Sequence, residues 1–360
     1  MRAGSRAVVT PPQWQKCRDD LKNGVALKEE LSQITVVGAG IIGLWQALVL
    51  ARRGWAVRLI EASIDPFAQS ASRYAGAMLA PDCEAEAAPQ VVRAYGHEGL
   101  ALWRQTYREL VEAGTLVVAP ARDRSELTRF ARLTSGHTLL DESAIGELEP
   151  ELSDRFTQGL YFSNEAHMET PAAMQFLLDE ARRAGADVAL GESVNDIGEL
   201  EGLVVDCRGM AAGNDIQSLR GVRGERLIVH APDVSLSRPV RLLHPRHPLY
   251  VVPWPGNYFM IGATVIESED DGAATVRSAL ELMGNAFALH TGFGEAQIIE
   301  IGAGLRPAYP DNVPRVAVAR EGRLIRVNGA YRHGFLLAPV LAEVVASVLA
   351  DAAYHHPLLL

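Results

Sequence analysis

Three glycines and one carboxylate stand at spacings that could bind a dinucleotide. Gly38, Gly40 and Gly43 follow a short apolar run that begins at Ile34, and Glu61 comes 18 residues after Gly43. The first glycine turns the chain, the second lets backbone approach a pyrophosphate, and the third lets a helix pack closely on a strand. A carboxylate at the end of the next strand accepts from a ribose hydroxyl and repels a 2′-phosphate. The pattern predicts an unphosphorylated adenosine dinucleotide, and by itself it does not separate FAD from NAD.

The elements that must position these residues read as one βαβ unit. The apolar, β-branched run from Ile34 to Val37 predicts a buried parallel strand. The stretch from Ile41 to Ala51 has apolar residues at helical spacing with few polar interruptions, which indicates a helix covered on most sides. Gly54 ends that helix, and Val57 to Ile60 form the second strand.

Composition limits the class of protein and its partners. The chain has 360 residues, 48% of them hydrophobic and 22% charged, with a formal net charge of −10. An acidic chain is a poor ligand for nucleic acid or an anionic membrane, and no apolar run approaches the ~18 residues of a membrane span. Cys17, Cys83 and Cys207 are odd in number and far apart, which is typical of a reducing, cytoplasmic compartment. We expect no metal site, because prolines interrupt the pair His244 and His247.

The order of strand and helix patterns predicts an α/β fold with two domains that share a ligand. We assign residues 1–33 to an N-terminal extension that lacks the features of a signal peptide. A discontinuous dinucleotide-binding domain of Rossmann type takes residues 34–90, 150–225 and 300–360. A second, antiparallel-sheet domain for the substrate takes residues 91–149 and 226–299. Within it, the segment from Val91 to Val118 is interpreted as helical.

Two further stretches suggest ligand contact. Small residues around Ala75, Gly76 and Met78 would let backbone lie against a flat ligand. Gly329 and Gly334 come just before the last predicted helix, where free backbone N–H groups and the positive end of the helix dipole would face a ligand. A helix start in that place would stabilise negative charge on a reduced cofactor.

With these pieces in place, the chain resembles the D-amino-acid oxidase superfamily of FAD enzymes, and within it the glycine oxidases. The resemblance covers about residues 34 to 350. It rests on four stretches of sequence: Tyr250 to Pro253, Gly262 to Thr264, Gly304 to Pro314, and Gly329 to Pro339. The sequence departs from the family pattern in two places. One is Cys207–Gly209, where Arg208 is unexplained, and the other is Val265, where the family usually has a Met. The smaller Val265 suggests a roomier pocket that accepts substrates such as D-alanine.

The resemblance implies a role for each matching residue. Arg306 would pair with the substrate carboxylate and Tyr250 would hydrogen-bond it, while Arg332 and Met78 would line the active site. A bidentate guanidinium fixes a carboxylate in both position and angle, which supports that role for Arg306. The residues implied in binding FAD are Gly38, Gly40, Ile42, Gly43, Glu61, Arg73, Ala75, Gly76, Met78, Val194, Gly209, Arg306, Gly329, Arg332, His333, Gly334, Phe335 and Leu336.

The implied activity is oxidation of glycine, small amines and small D-amino acids by non-covalently bound FAD and O2. The product imine would feed thiazole formation in thiamine synthesis. Related enzymes tether flavin through a Cys near the C-terminal signature, and this chain has no Cys after Cys207. Two alternatives from other classes stay open: an NAD-dependent dehydrogenase and a non-catalytic flavoprotein. An FAD enzyme for another D- or N-alkyl amino acid, which could be a dehydrogenase, also fits, and the protein could form a homo-oligomer.

Overall fold

The computed structural model describes residues 33–246, 248–319, 323–351 and 353–360. The predicted extension therefore lies outside the described residues, apart from Gln33, and so does His247. Within the described residues the strands are β1 Gln33–Val37, β2 Ala56–Glu61, β3 Met78–Leu79, β4 Thr115–Val118, β5 Thr138–Asp141, β6 Gln158–Phe162, β7 Ala166–His167, β8 Asp187–Leu190, β9 Leu203–Asp206, β10 Arg220–His230, β11 Val240–Leu242, β12 Leu249–Trp254, β13 Tyr258–Gly262, β14 Gln297–Ala308, β15 Arg315–Ala319 and β16 Leu324–Asn328. The helices are α1 Ile41–Arg52, α2 Gln90–Thr106, α3 Arg124–Leu133, α4 Glu142–Leu148, α5 Thr170–Arg183, α6 Val276–Leu289 and α7 Gly334–Ala350.

A six-stranded sheet carries the dinucleotide motif. Its strand order is β15-β16-β9-β1-β2-β8, and β1 pairs in parallel with both β2 and β9. The carboxyl ends of parallel strands meet at one edge of a sheet, so Gly38 after β1, Glu61 in β2 and Cys207 after β9 lie near one another. The βαβ unit expected from the sequence is confirmed, with β1 starting at Gln33.

Helix α1 is buried on nearly every side, as the sequence predicts. Ten of its twelve residues are buried, and it packs against α5 and α7. Trp45 of α1 meets Trp103 of α2 edge to face, with ring centroids 4.9 Å apart. The Trp103 indole N–H donates to the Phe335 carbonyl oxygen at 2.6 Å, which fixes the start of α7 against this core.

An eight-stranded sheet, in the order β14-β10-β13-β12-β11-β4-β6-β5, forms the second layer. Its pairs are antiparallel except for β11 with β4. One face buries Leu227, Val251 and Ile261 together with Leu282 of α6. The long pair of β10 with β14 extends over Arg306 and carries it to the edge that faces the first sheet. The predicted α/β class, with a Rossmann-type sheet and a second antiparallel sheet, is confirmed.

Two details differ from the sequence interpretation. The helix expected from Val91 to Val118 ends at Thr106, and its last residues form strand β4 instead. Strand β6, which we assigned to the dinucleotide domain, pairs with β4 and β5 in the eight-stranded sheet. A short apolar strand shows its period in the sequence but not which neighbours it will pair with. The division into two domains with the boundaries above stays a prediction.

Candidate active site

A cavity of about 850 Å³ lies where the carboxyl edge of the six-stranded sheet faces the eight-stranded sheet. Most of the residues singled out from the sequence line it. They are Gly38, Gly40, Ile42, Glu61, Ala75, Gly76, Met78, Val194, Gly209, Tyr250, Arg306, Arg332, His333, Gly334, Phe335 and Leu336. Residues separated by almost 300 positions in the chain therefore meet around one space.

Three of the expected cofactor residues lie outside the lining. Gly43 is one turn into α1, where a side chain would clash with the Gly38 carbonyl. Arg73 forms an ion pair with Glu300 at 3.3 Å. Gly329 packs beneath the Tyr309 ring. These residues shape the backbone around the cavity and do not face it.

One end of the cavity is formed by the turn from β1 into α1. Gly38 has φ of +100°, and a Cβ there would lie 2.7 Å from the Cys207 carbonyl oxygen, so no other residue fits without rearrangement. The N-cap of α1 is Gly40, which supplies no side-chain cap. Ser72 Oγ accepts from the Ile41 N–H at 3.1 Å. The remaining N–H groups of this helix start are suited to a phosphate.

Glu61 both lines the cavity and holds the turn. Its Oε2 accepts from the Ala39 N–H at 2.7 Å, and its Oε1 accepts from the Ser63 N–H at 3.1 Å. Each carboxylate oxygen retains acceptor capacity for a ribose hydroxyl. The sequence indicated the ribose role and missed the support that Glu61 gives to the glycine turn.

Arg306, on β14, lies at the other end of the cavity. Its Nη1 donates to the carbonyl oxygens of Thr264 at 3.0 Å and Arg223 at 3.4 Å. Gly224 on the neighbouring strand leaves room for this guanidinium, since a Cβ there would overlap it. Burial lowers the pKa of Arg306. None of the ion pairs found within the described residues involves Arg306, so a half-buried positive charge without an acidic partner faces the cavity.

Tyr250, on β12, lies close to Arg306. Its ring packs against Gly262, where a Cβ would be 3.3 Å from Cε2. Burial raises the pKa of the Tyr250 phenol, and this outweighs the opposite effect of Arg306 and Arg332. The phenol therefore stays protonated and can donate a hydrogen bond to an anion.

Glu84 is a cavity residue that the sequence did not reveal. It begins a short 3₁₀ turn, Glu84–Glu86, and its Oε2 accepts from Arg332 Nη2 at 2.8 Å. Arg241 Nη1 lies 3.7 Å from its Oε1. Burial would raise the pKa of Glu84, but the charges of Arg332 and Arg241 outweigh burial and lower that pKa. Glu84 is therefore ionised near neutral pH.

The start of α7 closes the cavity on a third side. Its N-cap is His333, which provides no side-chain cap, and Gly334, Phe335 and Leu336 of its first turn line the cavity. Burial lowers the pKa of His333 to about 4, which leaves the ring neutral near pH 7. The helix start thus presents a partial positive charge suited to the negative charge of a reduced flavin.

The unexplained Arg208 has a structural role. Its guanidinium is bidentate to the buried Asp206 carboxylate, with both distances 2.9 Å, and it also contacts Asp215. This network fixes the turn after β9 beside Gly38. Val265 is about half exposed, at 48%, and lies outside the cavity lining, so the expectation of a roomier pocket from this residue was wrong.

Comparison with known proteins identifies the class. Residues 33–348 match the family model described as FAD dependent oxidoreductase, so the chain belongs to that family. It is 50% identical over 318 residues to the protein named thiamine biosynthesis oxidoreductase ThiO in Rhizobium etli, an alignment covering 87% of this chain and 95% of the relative. It is 26% identical to a glycine oxidase of Geobacillus kaustophilus, over 88% of this chain and 92% of that protein. The crystal structure of a glycine oxidase from Bacillus cereus superposes with a TM-score of 0.80 at 21% identity, covering 91% and 97% of the two chains.

Family membership decides between the dinucleotides. The protein is an FAD-dependent oxidoreductase, and the NAD-dependent alternative is wrong. The residues fit FAD, because two helix starts without side-chain caps and a glycine that cannot bear a Cβ border the cavity. Among the described residues no helix combines the length and the apolar character needed to cross a membrane.

Proposed function

We propose that the protein catalyses oxidative deamination of glycine, and more weakly of sarcosine and small D-amino acids. The observation that carries the proposal is the half-buried guanidinium of Arg306, which faces the cavity beside Tyr250 without a carboxylate partner among the described residues. A cation in that position, partly shielded from water, suits the carboxylate of an amino acid. The glycine oxidase and the thiamine biosynthesis oxidoreductase among the relatives support the choice of glycine.

The residues orient the substrate, and FAD when bound supplies the redox chemistry, taking two electrons and two protons from the Cα–N unit and delivering them to O2. Arg306 holds the substrate carboxylate and the Tyr250 hydroxyl donates to it. This fixes the Cα–H bond in one direction, which is how positioning lowers a barrier without an acid or base. Glycine and O2 give iminoacetate and H2O2, and water then converts the imine to glyoxylate and ammonia.

A peroxide-coupled assay tests this proposal. We expect turnover of glycine, weaker turnover of sarcosine, D-alanine and D-proline, and none of the L-amino acids. Turnover of L-amino acids without glycine would overturn the assignment. Flavin reduction without peroxide would make the enzyme a dehydrogenase, and preference for another D- or N-alkyl amino acid would select that alternative. Acid precipitation should release the flavin into solution, as non-covalent binding requires.

The biological setting is part of the same proposal. The imine would serve thiazole formation in thiamine biosynthesis, and the name of the Rhizobium etli relative supports a place in that pathway. We place the enzyme in the cytoplasm, because its few, widely spaced cysteines suit a reducing compartment. We also propose that copies of the chain associate. Ile298, Ile299 and Ile301 are about half exposed on β14, which is an edge strand, and exposed edges of this kind favour pairing. Sedimentation of the purified protein tests this, and a monomer at all concentrations contradicts it.

A further inference from the structure

The substrate end of the cavity has more arginine side chains than are needed to bind one carboxylate. Arg306 and Arg332 both line it, and the buried Arg241 lies behind them on β11. Glu84 lies between Arg332 and Arg241, at 2.8 Å and 3.7 Å, and faces the cavity as well. The proposed oxidation uses Arg306 and assigns no task to Glu84.

The turn that carries Glu84 is held from several directions. The Cys83 N–H donates to Glu165 Oε1 at 2.6 Å. The neighbouring Asp82 accepts from Arg93 at 2.8 Å, and Glu86 accepts from Arg241 at 3.3 Å. These anchors hold the backbone of the turn in place, so that the side chain of Glu84 starts from a fixed position beside Arg332.

A fixed carboxylate on Arg332 affects which ligands the site can accept. The side chains of Glu84 and Arg332 are only 15% and 21% exposed, so water screens them weakly. A ligand with a second carboxylate would need to displace Glu84 from Arg332 or lie against it. Juxtaposed like charges in a buried site discriminate strongly between ligands.

We propose that Glu84 is a specificity-determining residue that neutralises Arg332 and so rejects amine donors carrying a second carboxylate. The inference rests on the proposed function, in which Arg306 takes the first carboxylate. A ligand with one carboxylate uses Arg306 and leaves the pair of Glu84 and Arg332 intact. A ligand with two carboxylates meets the negative charge of Glu84.

The test compares acetate with malonate as non-oxidisable ligands of the FAD-loaded protein, with dissociation constants read from the change in flavin absorbance. Glu84→Gln keeps the size of the side chain and removes the charge. We expect the affinity for malonate relative to acetate to rise by at least about tenfold in this variant. Glu86→Gln is the matched control, because Glu86 is in the same turn and contacts Arg241 but does not line the cavity. In Glu86→Gln the affinity for malonate relative to acetate should equal that of the unmodified protein.

Two further variants check that Glu84 acts through Arg332. The double variant Glu84→Gln with Arg332→Gln should lose the gain in malonate affinity. Arg332→Gln alone leaves Glu84 facing the cavity and should lower the ratio, so the inference can be tested even if Glu84→Gln does not retain FAD. An unchanged ratio in either single variant overturns the inference, and so does an equal gain in Glu86→Gln.

Turnover provides a second readout. The ratio of kcat/KM for glycine to that for iminodiacetate, which adds a carboxylate on the nitrogen, should fall at least about tenfold in Glu84→Gln. The binding measurement needs no turnover. If the unmodified protein does not oxidise glycine, the proposed function fails while the acetate and malonate ratios still decide the role of Glu84.

Discussion

The two ends of the cavity differ in what they are made of. The cofactor end is formed mainly by backbone, with Gly38 at a positive φ and the uncapped start of α1. The substrate end is formed by charged and phenolic side chains, chiefly Arg306, Tyr250 and Glu84. Backbone geometry recognises a phosphate that every member of the family binds, whereas side chains can be exchanged to suit a particular substrate. The comparison predicts that substitutions at the two ends fail in different ways.

The largest effect is expected from Arg306→Ala. Removing one partner of a buried charge pair costs ~2 to 5 kcal/mol, or roughly 30- to 5,000-fold in kcat/KM for an amino acid. FAD content should fall far less than in a variant of the glycine turn, because α1 and its turn remain intact. Steady-state kinetics with glycine and with an amine that lacks a carboxylate measure the difference.

Arg315→Ala is the control for Arg306. Arg315 pairs with Asp311 at 2.7 Å and lies over the Tyr309 ring, outside the cavity lining. Its replacement should leave kcat/KM unchanged. If Arg306→Ala lowers kcat/KM equally for glycine and for the amine that lacks a carboxylate, Arg306 supports the fold and does not bind the substrate.

The contrast between the ends also explains what the sequence could predict. The cofactor end is nearly contiguous, so the spacing of Gly38, Gly40 and Gly43 was enough to define strand, turn and helix. The partners at the substrate end are distant, and Glu84 lies 248 residues from Arg332 in the chain. No local spacing indicates such a pair. Arg306 and Tyr250 were identified because the sequence around them resembles that of a known family, and not from any periodic pattern of residues.

At the cofactor end, Gly38→Ala should abolish FAD retention. An alanine with positive φ is strained by ~1 to 2 kcal/mol, and its Cβ would also meet the Cys207 carbonyl, which is backbone and cannot turn aside. Flavin bound per chain after gel filtration measures retention. Gly54→Ala is the control, since φ is +84° there but a Cβ added at that position would meet no atom within 4 Å. Equal flavin loss in both variants would attribute the effect to backbone strain alone.

A smaller loss is expected from Glu61→Ala. A hydrogen bond to a charged group contributes ~1.5 to 3 kcal/mol, so the dissociation constant of FAD should rise accordingly. Glu61 also accepts a hydrogen bond from the Ala39 N–H. In Glu61→Gln the side-chain carbonyl oxygen can still accept this hydrogen bond. Titration of the apoprotein with FAD should therefore place the Gln variant between Ala and the unmodified protein. Unchanged affinity in both variants would show that ribose recognition lies elsewhere.

The last effect concerns pH, and of the two ends of the cavity it should change ligand binding at the substrate end alone. Glu165 supports the turn of Glu84 through the Cys83 N–H, while its Oε2 has no hydrogen-bond partner among the described residues. Burial raises the pKa of Glu165 from 4.5 to about 8. Between these pH values the folded protein keeps a proton that the unfolded chain has released. The contribution of Glu165 to the free energy of unfolding therefore falls as pH rises, by up to ~1.4 kcal/mol per pH unit, and the stabilisation present below pH 4.5 is lost as pH passes about 8.

Glu165→Gln removes this contribution, so its free energy of unfolding should fall less, or rise more, with pH between 5 and 8 than that of the unmodified protein, as measured by urea denaturation of the FAD-loaded protein. His167 and His333, whose pKa values burial lowers to about 4, act in the opposite direction below pH 6.5 in both proteins. Glu142→Gln, at an exposed position in α4, is the control and should keep the unmodified slope. Parallel slopes in Glu165→Gln and the unmodified protein would contradict the argument. The hydrogen bonds of Glu165 found among the described residues involve Cys83 and Gly114 and not the glycine turn. FAD affinity should therefore stay level over the same pH range, while the malonate to acetate ratio changes as the turn of Glu84 loosens. A parallel change in FAD affinity would show that the two ends are coupled and that the distinction between them does not hold.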